Sequence, residues 1–318
     1  MKIGVVGATG EVGRMMLTCL QEQNIDIDEL LLFATKKSAG EVVDFGEKKL
    51  DVQELTEEKM KQHFDYLLFS AGGAVSKRYA PIAEQAGNTI IDNSSTFRQD
   101  PNIPLVIPEI NCSELNNYQG IIANPNCSTI QMLLPLYAIH KVNRVKKIIV
   151  STYQSVSGSG KRGIDSLLNN KLANIYPRQI EHNVIPVIGE ILASGYSEEE
   201  EKMIFETHKI FADKKINISA TTVRVPVLYG HSESIYIELE KSYDLQEIKQ
   251  VLRNAPGVQY MESDFITPIE LGDSNDSFVC RLRAGVDDHS LTFWNVANNI
   301  RVGAATNAVR ILKYLINR

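Results

Sequence analysis

The chain is poor in cysteine: Cys19, Cys112, Cys127 and Cys280 are its only four, scattered through 318 residues with no CxxC pair and no histidine at ligand spacing. That excludes both a zinc site of the usual pattern and a disulfide framework, so reduced thiols and no metal are expected. Positive charge is in deficit, with 33 Lys and Arg against 39 Asp and Glu and a formal net charge of −6. A nucleic-acid partner, which needs a basic field, is excluded on that ground. No apolar run reaches the length of a membrane span, and the chain opens directly on the strand-like KIGVVG without a basic and apolar leader. Neither membrane insertion nor export is expected, and the expected setting is the cytoplasm. There is no internal repeat or flexible linker, and the longest like-charge run, 198–201, reads as a solvated helix face.

What is present is a 43% hydrophobic chain long enough for two domains. In the first part, short apolar runs at 2–6, 30–33, 66–69, 89–91 and 120–123 alternate with helical stretches such as 11–23 and 74–86. Such alternation predicts βαβ units and a parallel sheet. After Cys127 the runs lengthen, at 146–155, 216–225, 234–241, 278–284 and 291–296, and take the period-2 polarity of a sheet with one open face. The fold class expected is α/β. A Rossmann-like dinucleotide-binding domain at 1–124 joins an α+β catalytic and dimerisation domain at 125–300, and a helix within 301–318 returns to the first domain.

KIGVVGATGEVGRMML reads as strand, glycine turn and helix. Gly7 permits the tight turn, Gly10 lets backbone approach a pyrophosphate, and Gly13 lets the helix lie close to the strand. Gly7, Ala8, Thr9, Gly10, Glu11, Val12 and Gly13 are thus candidate cofactor contacts. The second strand runs into Thr35, Lys36, Lys37 and Ser38 with no carboxylate for a ribose 2′-hydroxyl. Hydroxyl and ammonium groups suit a 2′-phosphate and favour NADP, with a solvated basic turn as the alternative.

The stretch ANPNCSTIQMLLPLYAIH puts Cys127 at the mouth of an apolar helix. Two readings stand: a buried small hydrophobe, or a nucleophile in the first turn, where Asn126 can cap and unpaired N–H groups favour a thiolate. A cysteine beside a nicotinamide cofactor suggests thioester chemistry with hydride transfer. Of the six histidines, His231 alone lies where a strand carrying Arg224 breaks at Gly230 and another begins, so both side chains can meet at a strand end.

GATGEVG, NPNCST, STYQSVSGSG, RVPVxxGHSES and GAATNAVRI occur in this order over nearly the whole chain. The combination resembles the aspartate-semialdehyde dehydrogenase family, especially the form found in many Gram-positive bacteria. The resemblance implies NADPH-dependent reduction of L-aspartyl-4-phosphate to aspartate semialdehyde and phosphate, on the branch to lysine, threonine, methionine and isoleucine, by a homodimer. It implies Cys127 as nucleophile, Gln154 as the residue orienting substrate and His231 as the acid/base. Arg224 would hold the substrate α-carboxylate, Glu206 its amine, and Lys209, Arg98 and Asn126 the phosphate. Ala71, Gly72, Ser157, Gly158 and Asn307 would be further cofactor contacts. Where relatives often carry an arginine in the adenosine-phosphate turn, this chain has Lys36 and Lys37. Glu206 separates this reading from an N-acetyl-γ-glutamyl-phosphate reductase, since a free ammonium wants a carboxylate and an amide does not.

Overall fold

The computed structural model describes residues 1–169 and 175–318. The chain divides into two compact units, Met1–Pro125 with Ala304–Arg318, and Asn126–Gly303.

In the first unit β1 (Lys2–Val6), α1 (Glu11–Glu22), β2 (Glu29–Ala34), β3 (Val42–Phe45), β4 (Lys48–Glu54) and α2 (Glu57–Met60) come in order. They are followed by β5 (Tyr66–Phe69), α3 (Gly73–Gln85), β6 (Thr89–Asp92), α4 (Pro108–Asn111) and β7 (Ile121–Ala123). The strands lie in the order β3-β4-β2-β1-β5-β6-β7, parallel except for the β3–β4 hairpin. The chain leaves β1 toward β2 on one side and returns through β5 on the other. The carboxyl ends of β1 and β5 therefore form the crevice where doubly wound sheets take ligands. One buried cluster joins Ile3 and Val5 of β1 to Leu17 and Leu20 of α1 and to Ile311 and Leu315 of the C-terminal helix Thr306–Ile316. A second joins Val6, Leu67 and Phe69 to Met60 and to Ala80 and Ala83 of α3. At about 1.5–3 kcal/mol for each large side chain taken from water, these clusters fix which side chains each strand turns to which side.

The hairpin of β3 and β4 has no counterpart in the sequence expectation. Its strands carry one fully apolar buried position each, Val43 and Val52, and otherwise alternate with charge, so no apolar run announces them. Gly46, at φ +60°, makes the turn.

The second unit contains α5 (Cys127–Val142), β8 (Val145–Gln154), α6 (Gly160–Leu168), α7 (Glu198–Ile210), β9 (Asn217–Arg224) and β10 (His231–Leu239). Next come α8 (Leu245–Arg253), β11 (Val258–Met261), β12 (Ser277–Ala284) and β13 (Ser290–Ala297). The sheet order is β11-β12-β13-β10-β8-β9, antiparallel at its centre and parallel at both edges. The apolar helix α5 packs on one face against β8, β12 and β13 and is covered in turn by α7 and α8. A helix hydrophobic on all sides is buried on all sides, and residues from Ser128 to Leu136 are. The other face is open, with Ile149 and Tyr153 exposed and the Tyr153 ring against Trp294 at 5.3 Å. Strand β10 begins at His231, three residues before the expected 234. His231, Ser232 and Glu233 are polar yet buried, so hydropathy gives no sign that the strand has begun.

Candidate active site

Asn126 has extended backbone and caps α5: its side-chain oxygen accepts from Ser128 N at 2.9 Å and Thr129 N at 3.3 Å. Cys127 is thereby the first helical residue, half-buried, where the field of the helix favours negative charge on sulfur. Gly303 passes directly against it. A Cβ placed there would lie 2.5 Å from Cys127 Cβ, so only glycine allows the approach.

Asn126 is itself held from α7. Its backbone N–H donates to Glu206 Oε2 at 2.6 Å, and its side-chain Nδ2 donates to Glu199 Oε1 at 2.8 Å. The same Glu199 oxygen accepts from Gln154 Nε2 at 3.4 Å, tying the end of β8 to the cap. The run 198–201 is therefore not a solvated face. Glu199 and Glu200 are buried, Glu200 closing a capping box with Ser197 and accepting from Thr222 N at 2.8 Å. Glu199, Met203, Glu206 and Ile210 fall on one side of α7, all buried, which places two carboxylates two turns apart beneath the cysteine. Lys209, in the last turn of α7, is half-buried.

His231 is fully buried at the start of β10. Its Nδ1 accepts from Ser155 N at 3.0 Å, with Ser155 Oγ at 3.1 Å. That backbone donor assigns the ring proton to Nε2, and Nε2 is buried with no hydrogen-bond partner. Burial first, and the Arg224 charge second, push His231 well below the ordinary histidine range, so the imidazole is neutral. Arg224, the last residue of β9, donates from Nη1 to Ser155 O at 2.6 Å and stacks 5.8 Å from the Tyr176 ring. The two side chains do meet, through Ser155. Gly158 leaves the space in front of them: a Cβ there would lie 3.2 Å from Arg224 Nη1 and 3.4 Å from His231 Nε2.

Asn299, unremarked in the sequence, organises this end of the sheet. Its Oδ1 accepts from Gly230 N at 2.9 Å and from Ser155 Oγ and Ser157 Oγ, both at 3.2 Å. Cys127, Asn126, Gln154, Ser157, Gly158, Glu206, Arg224 and His231 thus share one connected site in the second unit.

In the first unit, Gly7 has φ +85°, and a Cβ on it would lie 2.8 Å from the Ser70 backbone. On Gly13 it would lie 2.1 Å from Gly7 O. These are the close approaches a dinucleotide turn requires, at the start of α1 and at the crevice between β1 and β5. Gly72, φ +85°, faces open space in the neighbouring turn after Ala71. Both side-chain atoms of Asn93, at the end of β6, and Oδ1 of Asn307 are buried without a partner. Asn307 Nδ2 is spent on Val106 O and Asn124 Oδ1. Buried polar groups without partners, in the same unit as a close-packed glycine turn, fit a polar cofactor. Thr35, Lys36 and Lys37 are exposed just beyond β2, with Ser38 half-buried and its N–H on Thr35 O at 2.9 Å. Arg98 is buried, with Nη2 on Asn93 O at 2.8 Å. Among the described residues no cluster of ligands could hold a metal ion, and no helix is long and apolar enough to cross a membrane.

Residues 2–118 match the semialdehyde dehydrogenase NAD-binding domain and residues 133–302 the semialdehyde dehydrogenase dimerisation domain. The class is thus a two-domain oxidoreductase with a dinucleotide-binding first unit. An aspartate-semialdehyde dehydrogenase of Aquifex aeolicus is 44% identical over 99% of this chain and 98% of its own. One from Bacillus subtilis is 41% identical over 98% and 96%. The crystal structure of aspartate semialdehyde dehydrogenase II from Vibrio cholerae, complexed with ASA, superposes with a TM-score of 0.93 at 43% identity, covering 99% and 98%. The chain belongs to the aspartate-semialdehyde dehydrogenase family.

Proposed function

We propose that the chain reduces L-aspartyl-4-phosphate with NADPH to L-aspartate 4-semialdehyde and phosphate through a thioester on Cys127, as a homodimer, in the supply of lysine, threonine, methionine and isoleucine. The observation that carries this reading is the pairing of a cysteine at a helix start with a buried neutral histidine whose Nε2 has no partner. Its motifs resemble those of the form found in many Gram-positive bacteria, and a Bacillus subtilis protein is among its relatives.

Cys127 Sγ attacks the acyl carbon, the carbon–oxygen bond to phosphate breaks, and phosphate leaves. NADPH, when bound, supplies the hydride that reduces the thioester carbon. The carbon–sulfur bond then breaks, returning the thiolate and releasing the aldehyde. At both additions negative charge gathers on the carbonyl oxygen, and His231 Nε2–H is the donor for it. Accepting a proton at Nε2 in the reverse direction needs a shift to the Nδ1–H tautomer, for which Ser155 Oγ is the acceptor at hand. Arg224 offers a fork for the α-carboxylate, and Gln154 orients the acyl group. Glu206 keeps Asn126 in place through Oε2 and turns its remaining charge to the amine. Lys209, Arg98 and Asn126 hold phosphate. Gly7 to Gly13 hold the pyrophosphate and Thr35 to Ser38 the 2′-phosphate. Ala71, Gly72, Ser157, Gly158 and Asn307 complete the cofactor site.

The direct test is NADP⁺ reduction by purified protein given aspartate semialdehyde with and without phosphate; a rate indifferent to phosphate overturns the assigned reaction. Lys209→Met keeps the stem and deletes a charge-assisted hydrogen bond worth about 1.5–3 kcal/mol. The phosphate KM should rise about tenfold or more, with less change in the semialdehyde KM and with the NADPH burst of acylation intact. An unchanged phosphate KM removes Lys209 from the site. For cofactor choice, Lys36→Glu with Lys37→Glu should weaken NADP⁺ binding selectively, by repulsion of the 2′-phosphate, measured by cofactor fluorescence titration. Equal loss for NAD⁺ and NADP⁺ would make the turn structural only.

A further inference from the structure

Nδ1 of a neutral His231 has one lone pair but two donor groups beside it, Ser155 N at 3.0 Å and Ser155 Oγ at 3.1 Å. One of the two hydrogens has to be spent elsewhere. Asn299, just after β13, takes it. Its Oδ1 accepts from Ser155 Oγ at 3.2 Å and also from the N–H of Gly230, the residue before His231, at 2.9 Å. A backbone N–H can be met only by oxygen, so this bond fixes which end of the carboxamide faces the serine. Asn299 Nδ2 donates to Ser157 Oγ at 3.0 Å, and Ser157 Oγ lies 3.1 Å from Ser155 Oγ and 3.2 Å from Asn299 Oδ1. Both routes for the Ser155 hydroxyl hydrogen away from the ring, direct and through Ser157, therefore end on Asn299 Oδ1. Ser155, Ser157, Asn299 and His231 are all buried, which keeps bulk water from competing for these bonds.

We propose that Asn299 and Ser155 are positioning residues that let His231 carry its proton on either ring nitrogen: Asn299 Oδ1 takes the Ser155 hydroxyl hydrogen, which leaves a backbone N–H and an oxygen lone pair side by side at Nδ1. In the resting ring, protonated at Nε2, Nδ1 accepts the Ser155 N–H. With the proton on Nδ1, that nitrogen donates to the Ser155 Oγ lone pair and Nε2 becomes an acceptor. Oxidation of the semialdehyde uses the second form. The hemithioacetal O–H proton passes to Nε2, the carbon gives up its hydride to NADP⁺, and the O–H electron pair becomes the thioester carbonyl bond. The imidazolium so formed keeps its Nδ1–H on Ser155 Oγ and later yields a proton to solvent. Without Asn299 the two hydroxyls would run the other way, Ser157 to Ser155 to Nδ1, and hold the ring in its first form alone. Burial and the Arg224 charge oppose an imidazolium, and the Gly230 backbone favours it. Asn299 holds that residue as well, through its N–H.

The inference rests on the acid/base role proposed for His231. Ser155→Ala removes one oxygen and keeps the backbone N–H on Nδ1. Its kcat for semialdehyde oxidation should fall about tenfold, the loss of one hydrogen bond in the transition state. The semialdehyde KM, NADP⁺ binding and iodoacetamide alkylation of Cys127 should change little, whereas a collapsed site would move all three. Asn299→Ala should lower kcat by at least the same factor, and adding Ser155→Ala to it should cost nothing more, since both act through one hydroxyl. On a His231→Asn background Ser155→Ala should likewise be silent. A wild-type kcat in Ser155→Ala, or losses that multiply in either pairing, overturns the proposal. A His231→Asn enzyme that turns over normally overturns instead the reading beneath it. Should Asn299→Ala fail to fold, Ser155→Ala alone and in the His231→Asn background decides.

Discussion

Cys127→Ser should fold, bind NADP⁺ and lose turnover by about 10³-fold or more, because a hydroxyl at this position has no base strong enough to make it an attacking anion. The structure makes the substitution a clean one. Serine is the smaller residue, so the close passage of Gly303 is undisturbed, and Asn126 caps through backbone N–H groups that the substitution leaves alone. The field at the start of α5 stays as well; it can favour negative charge on sulfur but falls far short of what an alcohol needs. Circular dichroism and cofactor fluorescence titration check the first two expectations, and single-turnover NADPH formation from aspartate semialdehyde checks the third. A variant keeping a tenth of the wild-type rate would return Cys127 to the reading of a packed small hydrophobe.

Legibility in the sequence followed the kind of residue. The glycine turn after β1, the cap at Asn126 and the apolar helix behind it could be read because each depends on a local pattern of a few residues. The supports of the site could not. Glu199 looks like one of four solvent-facing glutamates, and its burial shows only when α7 is laid down and positions 199, 203, 206 and 210 come to one side. The seven-residue interval between Glu199 and Glu206 was the available signal. Asn299 and Ser155 carry no such signal, since 144 positions separate them and only the fold brings Asn299 Oδ1 to the serine that holds His231. Strand β10 begins three residues ahead of its apolar run for the same reason: buried polar residues that satisfy one another look, in one dimension, like surface.

His231→Asn should cut kcat by about 10²- to 10⁴-fold while leaving alkylation of Cys127 by iodoacetamide possible. The choice of asparagine follows from the geometry. Its side-chain oxygen can take the place of Nδ1 and accept the Ser155 N–H, so the end of β8 keeps its bond and only the group at the Nε2 position is lost. The pH dependence supplies a second check. His231 lies well below 6.5 in the folded protein, so between that folded value and 6.5 the unfolded chain binds a proton that the folded one refuses. The stability gained by keeping the ring neutral is full above 6.5 and declines as pH falls through that window toward the folded value, and in His231→Asn this share of the decline should vanish from denaturant melts. By the same token the wild-type kcat profile should show no histidine limb near 6.5, since the ring already carries its working tautomer throughout the neutral range. Near-normal turnover in His231→Asn would move proton transfer to another group and leave the unpaired Nε2 without a task.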